Sequence, residues 1–296
     1  MYRIRRFLSL VSPLLLTLAL GCSQVASTPS TSNSSSSELT AEVVAFPSGG
    51  VTLHGYLYKP AGGTSPYPAI IYNHGSEENP TIHEVENLAK LYVAQGFVLF
   101  APHRTGHGLS ADAGPSIGDR TASLKAEGLS PSEMLAGVEG LHEEANADVV
   151  AAIQWLKTQS FVDPDRLVVS GISYGGIQTV LTAANSVEKG LGIRCAIPFA
   201  PGAMSWGPDF GDWLTSWVQK PTVPMFLIQA ENDYSIEPSK VMGPIIESKG
   251  APNRYNIYPP FGTTNAEGHG GFATFEAGTE IWGPDVLAFL KDCGVL

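Results

Sequence analysis

The chain has 296 residues, 43% hydrophobic and 15% charged, ample for one globular domain with a large core. It carries 17 Lys and Arg against 28 Asp and Glu, with no basic run after the first six residues, which argues against nucleic acid as a partner and against long-range attraction of anionic substrates. Three cysteines are too few for a disulfide scaffold.

Arg3, Arg5 and Arg6 begin a basic segment, and Phe7 to Leu20 is an apolar run too short to span a bilayer comfortably. Together they read as an export signal. The run ends in Ala19-Leu20-Gly21-Cys22, which resembles a bacterial lipobox, although Ala19 stands where Leu is more usual. That resemblance implies a lipoprotein signal peptide over residues 1–21 and lipidation of Cys22. The exported chain would then be held to a membrane of the cell envelope by its lipid; the alternative is an ordinary secreted protein with an incidental Cys22. Residues 22–40 are rich in Ser and Thr, lack apolar periodicity and read as a linker.

From residue 41 the composition changes. Glu42 to Phe46, the turn Pro47-Ser48-Gly49-Gly50 and Val51 to Tyr58 read as an antiparallel hairpin. Strands are expected at Ala69–Tyr72, Val98–Ala101, Leu167–Val169, Cys195–Phe199, Met225–Ala230 and Asn253–Tyr258. Helices are expected at His83–Gln95, Ala145–Lys157, Ile177–Ala184, Pro238–Lys249 and Pro284–Asp292. A hairpin followed by alternating strands and helices gives a mostly parallel sheet with helices on both faces. Two stretches break the alternation, at about 107–142 and 203–222, and read as cap or lid segments.

Between the strand at 167–169 and the helix from 177 lies Gly171-Ile172-Ser173-Tyr174-Gly175. Strand, G-x-S-x-G, helix is the context of a nucleophile elbow, in which side chains two residues either side of the serine would collide. A serine hydroxyl needs a base and a group to orient that base. Of the seven histidines, only His269 lies well downstream, in Glu267-Gly268-His269-Gly270-Gly271, a flexible loop by its composition. Asp233, three residues past the strand ending at Ala230, is the expected acid; Glu231 is its fallback, with Asp209 and Asp212 weaker. Backbone N–H groups of Tyr174 and of Ser76, in Asn73-His74-Gly75-Ser76 after a strand, are the expected oxyanion donors. His74 itself reads as a structural hydrogen-bonding residue.

His83, His103 and His107 lack the helical register and third ligand that zinc requires, so no metal is expected, and no cofactor. Cys195 and Cys293 could pair in an oxidising compartment. Trp206, Trp213 and Trp217 recur at helix-like spacing and fit core or cap packing, with an apolar acyl pocket as second reading.

His74-Gly75, Gly106-His107-Gly108-Leu109-Ser110, Asp163-Pro164-Asp165-Arg166, Gly171 to Gly176, Asp233 and His269 together resemble the α/β-hydrolase superfamily, nearest its dienelactone-hydrolase-like and prolyl-oligopeptidase-like branches. The resemblance spans residues 41–296 and implies an α/β-hydrolase fold with chain order Ser, Asp, His. It implies a serine esterase acting on a small-molecule ester through Ser173, His269 and Asp233. Dienelactone hydrolases proper use cysteine where this chain has Ser173. Thr105 lengthens the turn that follows Arg104, and Glu77 and Glu78 follow the oxyanion loop, where such families often carry small or apolar residues. A peptidase or amidase on the same scaffold is the enzymatic alternative, and a silent, surface-tethered binding protein the non-enzymatic one.

Overall fold

The computed structural model describes residues 39–296. The expected signal peptide, most of the expected linker and Cys22 lie outside the described residues. Eight strands form one sheet in the order β1-β2-β4-β3-β5-β6-β7-β8. β1 (Glu42–Ser48) and β2 (Val51–Tyr58) pair antiparallel, and β2 pairs antiparallel with β4 (Val98–Pro102). From β4 onward every pairing is parallel, through β3 (Tyr67–Asn73), β5 (Val162–Ile172), β6 (Ile193–Phe199), β7 (Phe226–Ala230) and β8 (Arg254–Tyr258).

The central strands bear apolar side chains on both sides, as a sheet covered on both faces requires. Ile71, Val169, Ala196 and Leu227 meet one layer built from α3 (Pro131–Lys157), α4 (Tyr174–Lys189), α5 (Pro208–Gln219) and α6 (Glu237–Ser248). Ile70, Val168, Ile197 and Ile228 meet the other, where Val85 and Leu88 come from α1 (Ile82–Ala94), and Trp282, Val286 and Phe289 from α8 (Glu276–Asp292). The expected α/β architecture is borne out. Among the described residues, no helix is long and apolar enough to cross a membrane.

Both irregular stretches hold helices. The first contains a 3₁₀ turn at Gly108–Ala113, α2 (Ile117–Ala126) and the first half of α3, which starts at Pro131 and not at Ala145. Ser130 caps it by accepting the Glu133 N–H while Glu133 reaches back to the Ser130 N–H, and Pro131 occupies the first turn, where no intrahelical donor is needed. The second stretch contains α5. The closing helix likewise starts earlier than Pro284, at Glu276. Pro284 sits inside it because both Pro284 and Glu280 are exposed, so the carbonyl deprived of its donor can be solvated.

Cys195 and Cys293 are both free thiols. The layer of α3 and α4 is fixed by a buried polar knot as well as by apolar packing. The Asn146 amide donates to the Gln178 carbonyl, the Gln178 side-chain oxygen and Thr182 Oγ1 at 2.9–3.1 Å, and accepts from Asn185 at 2.7 Å. Removing one member strands the others in an apolar layer. Asn146→Ala is therefore expected to lower unfolding stability by about 2–4 kcal/mol, read by urea denaturation.

Candidate active site

β5 runs into Ser173 and α4 begins at Tyr174, so strand and helix meet in one residue. Ser173 pays for this with φ 57° and ψ −116°, a conformation that L residues seldom adopt. Its N–H donates to the Phe199 carbonyl at 3.0 Å, tying the turn to the end of β6. The flanking glycines are forced by contact. A Cβ on Gly171 would lie 2.5 Å from the Gly175 carbonyl oxygen and 2.6 Å from that of Asn73; one on Gly175 would lie 2.0 Å from Asn73 O and 2.4 Å from His74 O. The elbow is thus pressed against the exit of β3 as well as against itself.

Asp233 follows β7 in a tight turn and is buried, with a side chain that exposes no surface. Its Oδ1 accepts from the Tyr234 N–H at 2.6 Å and lies 2.8 Å from His269 Nδ1, while its Oδ2 accepts from Gln229 at 2.9 Å. Glu231, Asp209 and Asp212 are exposed and make no such contact. His269 does not sit in a flexible loop. It is buried in a π-helical turn, Glu267–Gly271, continued by α7 (Phe272–Thr274). The neighbouring glycine serves close approach: a Cβ on Gly268 would fall 2.5 Å from Asn232 Oδ1. The Asp233 contact at Nδ1 leaves Nε2 of His269 as the second ring nitrogen, buried and without a hydrogen-bond partner.

A cavity of about 440 Å³ brings Ser173 and His269 together with Gly75, Ser76, Glu77, Glu84, Met204 and Phe275. Ser76 follows β3 and is exposed toward this space, and its N–H donates to no group among the described residues. Tyr174 is the first residue of α4, so its N–H has no carbonyl one turn behind it within the helix. The Gly75 N–H is unavailable, because it donates to Glu77 Oε1 at 3.0 Å. Trp206, Trp213 and Trp217 do not line this cavity. Trp213 instead packs with His142 and Phe210 at ring separations of 5.6 and 5.3 Å, in the layer over the sheet.

The model of the prolyl oligopeptidase family matches residues 136–200, from α3 through the elbow to β6. Dipeptidyl-peptidase 5 of Porphyromonas gingivalis is 23% identical over 223 residues, covering 65% of this chain; the chain spans only 30% of that relative's length. A candidate dienelactone hydrolase from Klebsiella pneumoniae superposes with a TM-score of 0.62 at 15% identity, over 86% of this chain and 98% of its own. A thermophilic esterase from Thermogutta terrifontis superposes with a TM-score of 0.59 at 19% identity, over 86% and 93%. The chain has the α/β-hydrolase fold.

The loop after β3 rests on Arg104, which stands in the sequence as part of a turn motif. Arg104 is buried, and its Nη2 donates to the carbonyls of both His74 and Gly75 at 2.7 Å. The guanidinium also lies 4.5 Å from the centre of the Tyr174 ring. His74 has the structural role expected of it: the Arg104 N–H donates to its Nε2 at 3.3 Å, and its Nδ1 lies 2.9 Å from the Gly75 carbonyl. His103 and His107 flank that ring, with centroids 5.5 and 5.0 Å away. His83 is exposed on α1, and among the described residues no group of three or more His, Cys, Asp or Glu is placed to hold a metal. A second cavity of about 320 Å³, lined by Arg104, Tyr174 and Asp148, does not reach Ser173.

The buried histidines around this cation are held neutral. Burial first, and then the Arg104 charge, push His103 and His142 down to about 4 and hold His74 well below the usual range. Unfolded, the same rings take up protons near pH 6.5, so the unfolded state binds more protons between about 6.5 and 4. Stability should therefore fall as pH drops through that window, by on the order of 1 kcal/mol or more per histidine. Urea midpoints at pH 7, 6 and 5 test this. His142→Phe should show a shallower loss than the parent.

Proposed function

We propose that the chain is a serine hydrolase that cleaves carboxylic esters through an acyl-enzyme. One observation carries the reading: Nε2 of His269 is buried and partnerless beside the cavity that holds Ser173, while Nδ1 of the same ring is engaged by buried Asp233 at 2.8 Å. His103 and His142 also have a buried ring nitrogen without a partner. What sets His269 apart is the buried carboxylate that orients its ring beside the cavity of Ser173. Ser173 Oγ attacks the ester carbonyl and gives its proton to Nε2. Asp233 keeps the other ring proton on Nδ1 and stabilises the imidazolium. The N–H groups of Tyr174 and Ser76 receive the oxyanion. As the tetrahedral species collapses, the alkoxide leaves with the proton from Nε2. Water, deprotonated by the same nitrogen, then attacks the acyl-enzyme and releases the acid and Ser173.

A peptidase or amidase is the second reading, and the match to the prolyl oligopeptidase family over residues 136–200 favours it. The ester reading draws support from a different relation. The dienelactone hydrolase candidate and the esterase correspond to this chain over 98% and 93% of their length, the dipeptidyl-peptidase over 30%. The proposal includes export and a lipid anchor on Cys22, which would place the catalytic domain at a membrane surface of the cell envelope. Loss of incorporated fatty-acid label in Cys22→Ser is the expected signature of that anchor.

The catalytic reading is tested with a fluorophosphonate probe and peptide mapping. Labelling is expected at Ser173 and is expected to vanish in Ser173→Ala. Asp233→Asn should retain the fold and lower ester kcat by about 10⁴-fold, because the wrong ring nitrogen is then protonated. Aminoacyl amides should be cleaved far more slowly than p-nitrophenyl esters; the reverse order would select the peptidase reading.

A further inference from the structure

The wall of the cavity at Ser173 has a charge asymmetry that ester hydrolysis alone does not require. Its charged side chains are Glu77 and Glu84, and no lysine or arginine lines it. Glu77 is exposed, yet its carboxylate folds back over its own loop. Its Oε1 accepts from the Gly75 N–H at 3.0 Å, and a Cβ on Gly75 would fall 2.3 Å from its Oε2. The carboxylate is therefore held beside the loop that presents Ser76. His74 Nδ1, 3.8 Å from it, belongs to a ring kept neutral by burial. Glu84 comes from the first turn of α1, is half-buried, and is pushed upward by that burial and then by Glu77. Among the described residues, neither carboxylate forms an ion pair with a lysine or arginine.

Two carboxylates line the cavity in which an oxyanion would form. The fixed cation beneath the loop, Arg104, feels Glu77, but it is engaged by the His74 and Gly75 carbonyls and does not line the cavity. The field of the carboxylates opposes the oxyanion's charge, more strongly where water is excluded. A positive charge carried by the substrate reverses the sign, relieving the carboxylates and favouring the oxyanion together. The mouth suits such a group in a second respect. Phe275 is 50% exposed and Met204 is 65% exposed on the same wall, and an accessible aromatic face beside acidic groups accommodates an alkylammonium.

We propose that this site selects esters that carry an ammonium group close to the scissile carbonyl, with Glu77 and Glu84 as the residues that recognise it. The inference rests on the esterase reading. Glutamine at these positions removes the charge while keeping an oxygen to accept the Gly75 N–H, so the substitution reads charge and not loop structure.

The test uses the full chain in detergent micelles and two pairs of esters matched in shape. One pair is trimethylammonioacetyl and 3,3-dimethylbutanoyl p-nitrophenyl esters; the other is acetylthiocholine and 3,3-dimethylbutyl thioacetate. Each kcat/KM is normalised to the hydroxide-catalysed rate of the same ester. At low salt the cationic member of at least one pair should be preferred by about 10-fold or more, falling to within about 2-fold in Glu77→Gln/Glu84→Gln and shrinking as salt is raised. Equal use of both members by the parent, or a preference undiminished in the double variant, would overturn the inference and leave the esterase standing. Hydrolysis of none of the four, with Ser173 unlabelled by fluorophosphonate, overturns the esterase reading and this inference with it.

Discussion

The site depends on a steric constraint: the last residues of β3 and the turn after β5 occupy almost the same space. Gly171 and Gly175 lie so close to the Asn73 and His74 carbonyls that neither can carry a Cβ. That contact sets the distance between the two loops that would supply oxyanion donors, one at Tyr174 and one at Ser76. It also explains why parallel neighbours in the sheet, β3 and β5, contribute the two halves of one site although about a hundred residues separate them (Asn73 pairs with Gly171). The remaining parts arrive the same way, from the ends of β7 and β8. Ligand sites of open parallel sheets form beyond the carboxyl ends of the strands.

Sterics alone would leave the β3 loop free to peel away, and a single cation prevents this. Arg104 lies beneath the loop, holds two successive carbonyls with one nitrogen, and contacts the ring of the residue after the elbow serine. A guanidinium cannot shed its charge when buried. The surroundings accommodate it by keeping every nearby imidazole neutral and directing carbonyl oxygens toward it. The result is a rigid floor with a fixed positive charge and a wall with two negative ones, Glu77 and Glu84.

The sheet, its helices and the elbow were legible in the sequence because each obeys a local rule. Central strands covered on both faces show unbroken apolar runs, and the elbow shows glycine where a Cβ would collide. The placing of Asp233 and His269 was legible from their positions after strands, and the structure brings the two side chains into contact. The remaining features are less local. The start of α3 is announced by Ser130-Pro131-Ser132-Glu133, a capping box with proline in the first turn, but Gly137 and Gly140 in the turns that follow weaken the helical signal. Pro284 reads as a helix start, whereas the exposure of its turn permits it inside the helix. The glycines around His269 suggested mobility, yet Gly268 is small because it touches Asn232. Arg104 and Glu84 could not be placed at all, since nothing along the chain says which loop lies over which.

The elbow geometry sets folding and chemistry against each other at one residue. Ser173 occupies a backbone conformation that glycine would adopt without strain, and holding a side chain there costs on the order of 1–3 kcal/mol. For folding alone, glycine would be the better choice. On the proposed reading, a hydroxyl-bearing residue at that position trades stability for reactivity, with the large apolar layers on either face of the sheet carrying the difference.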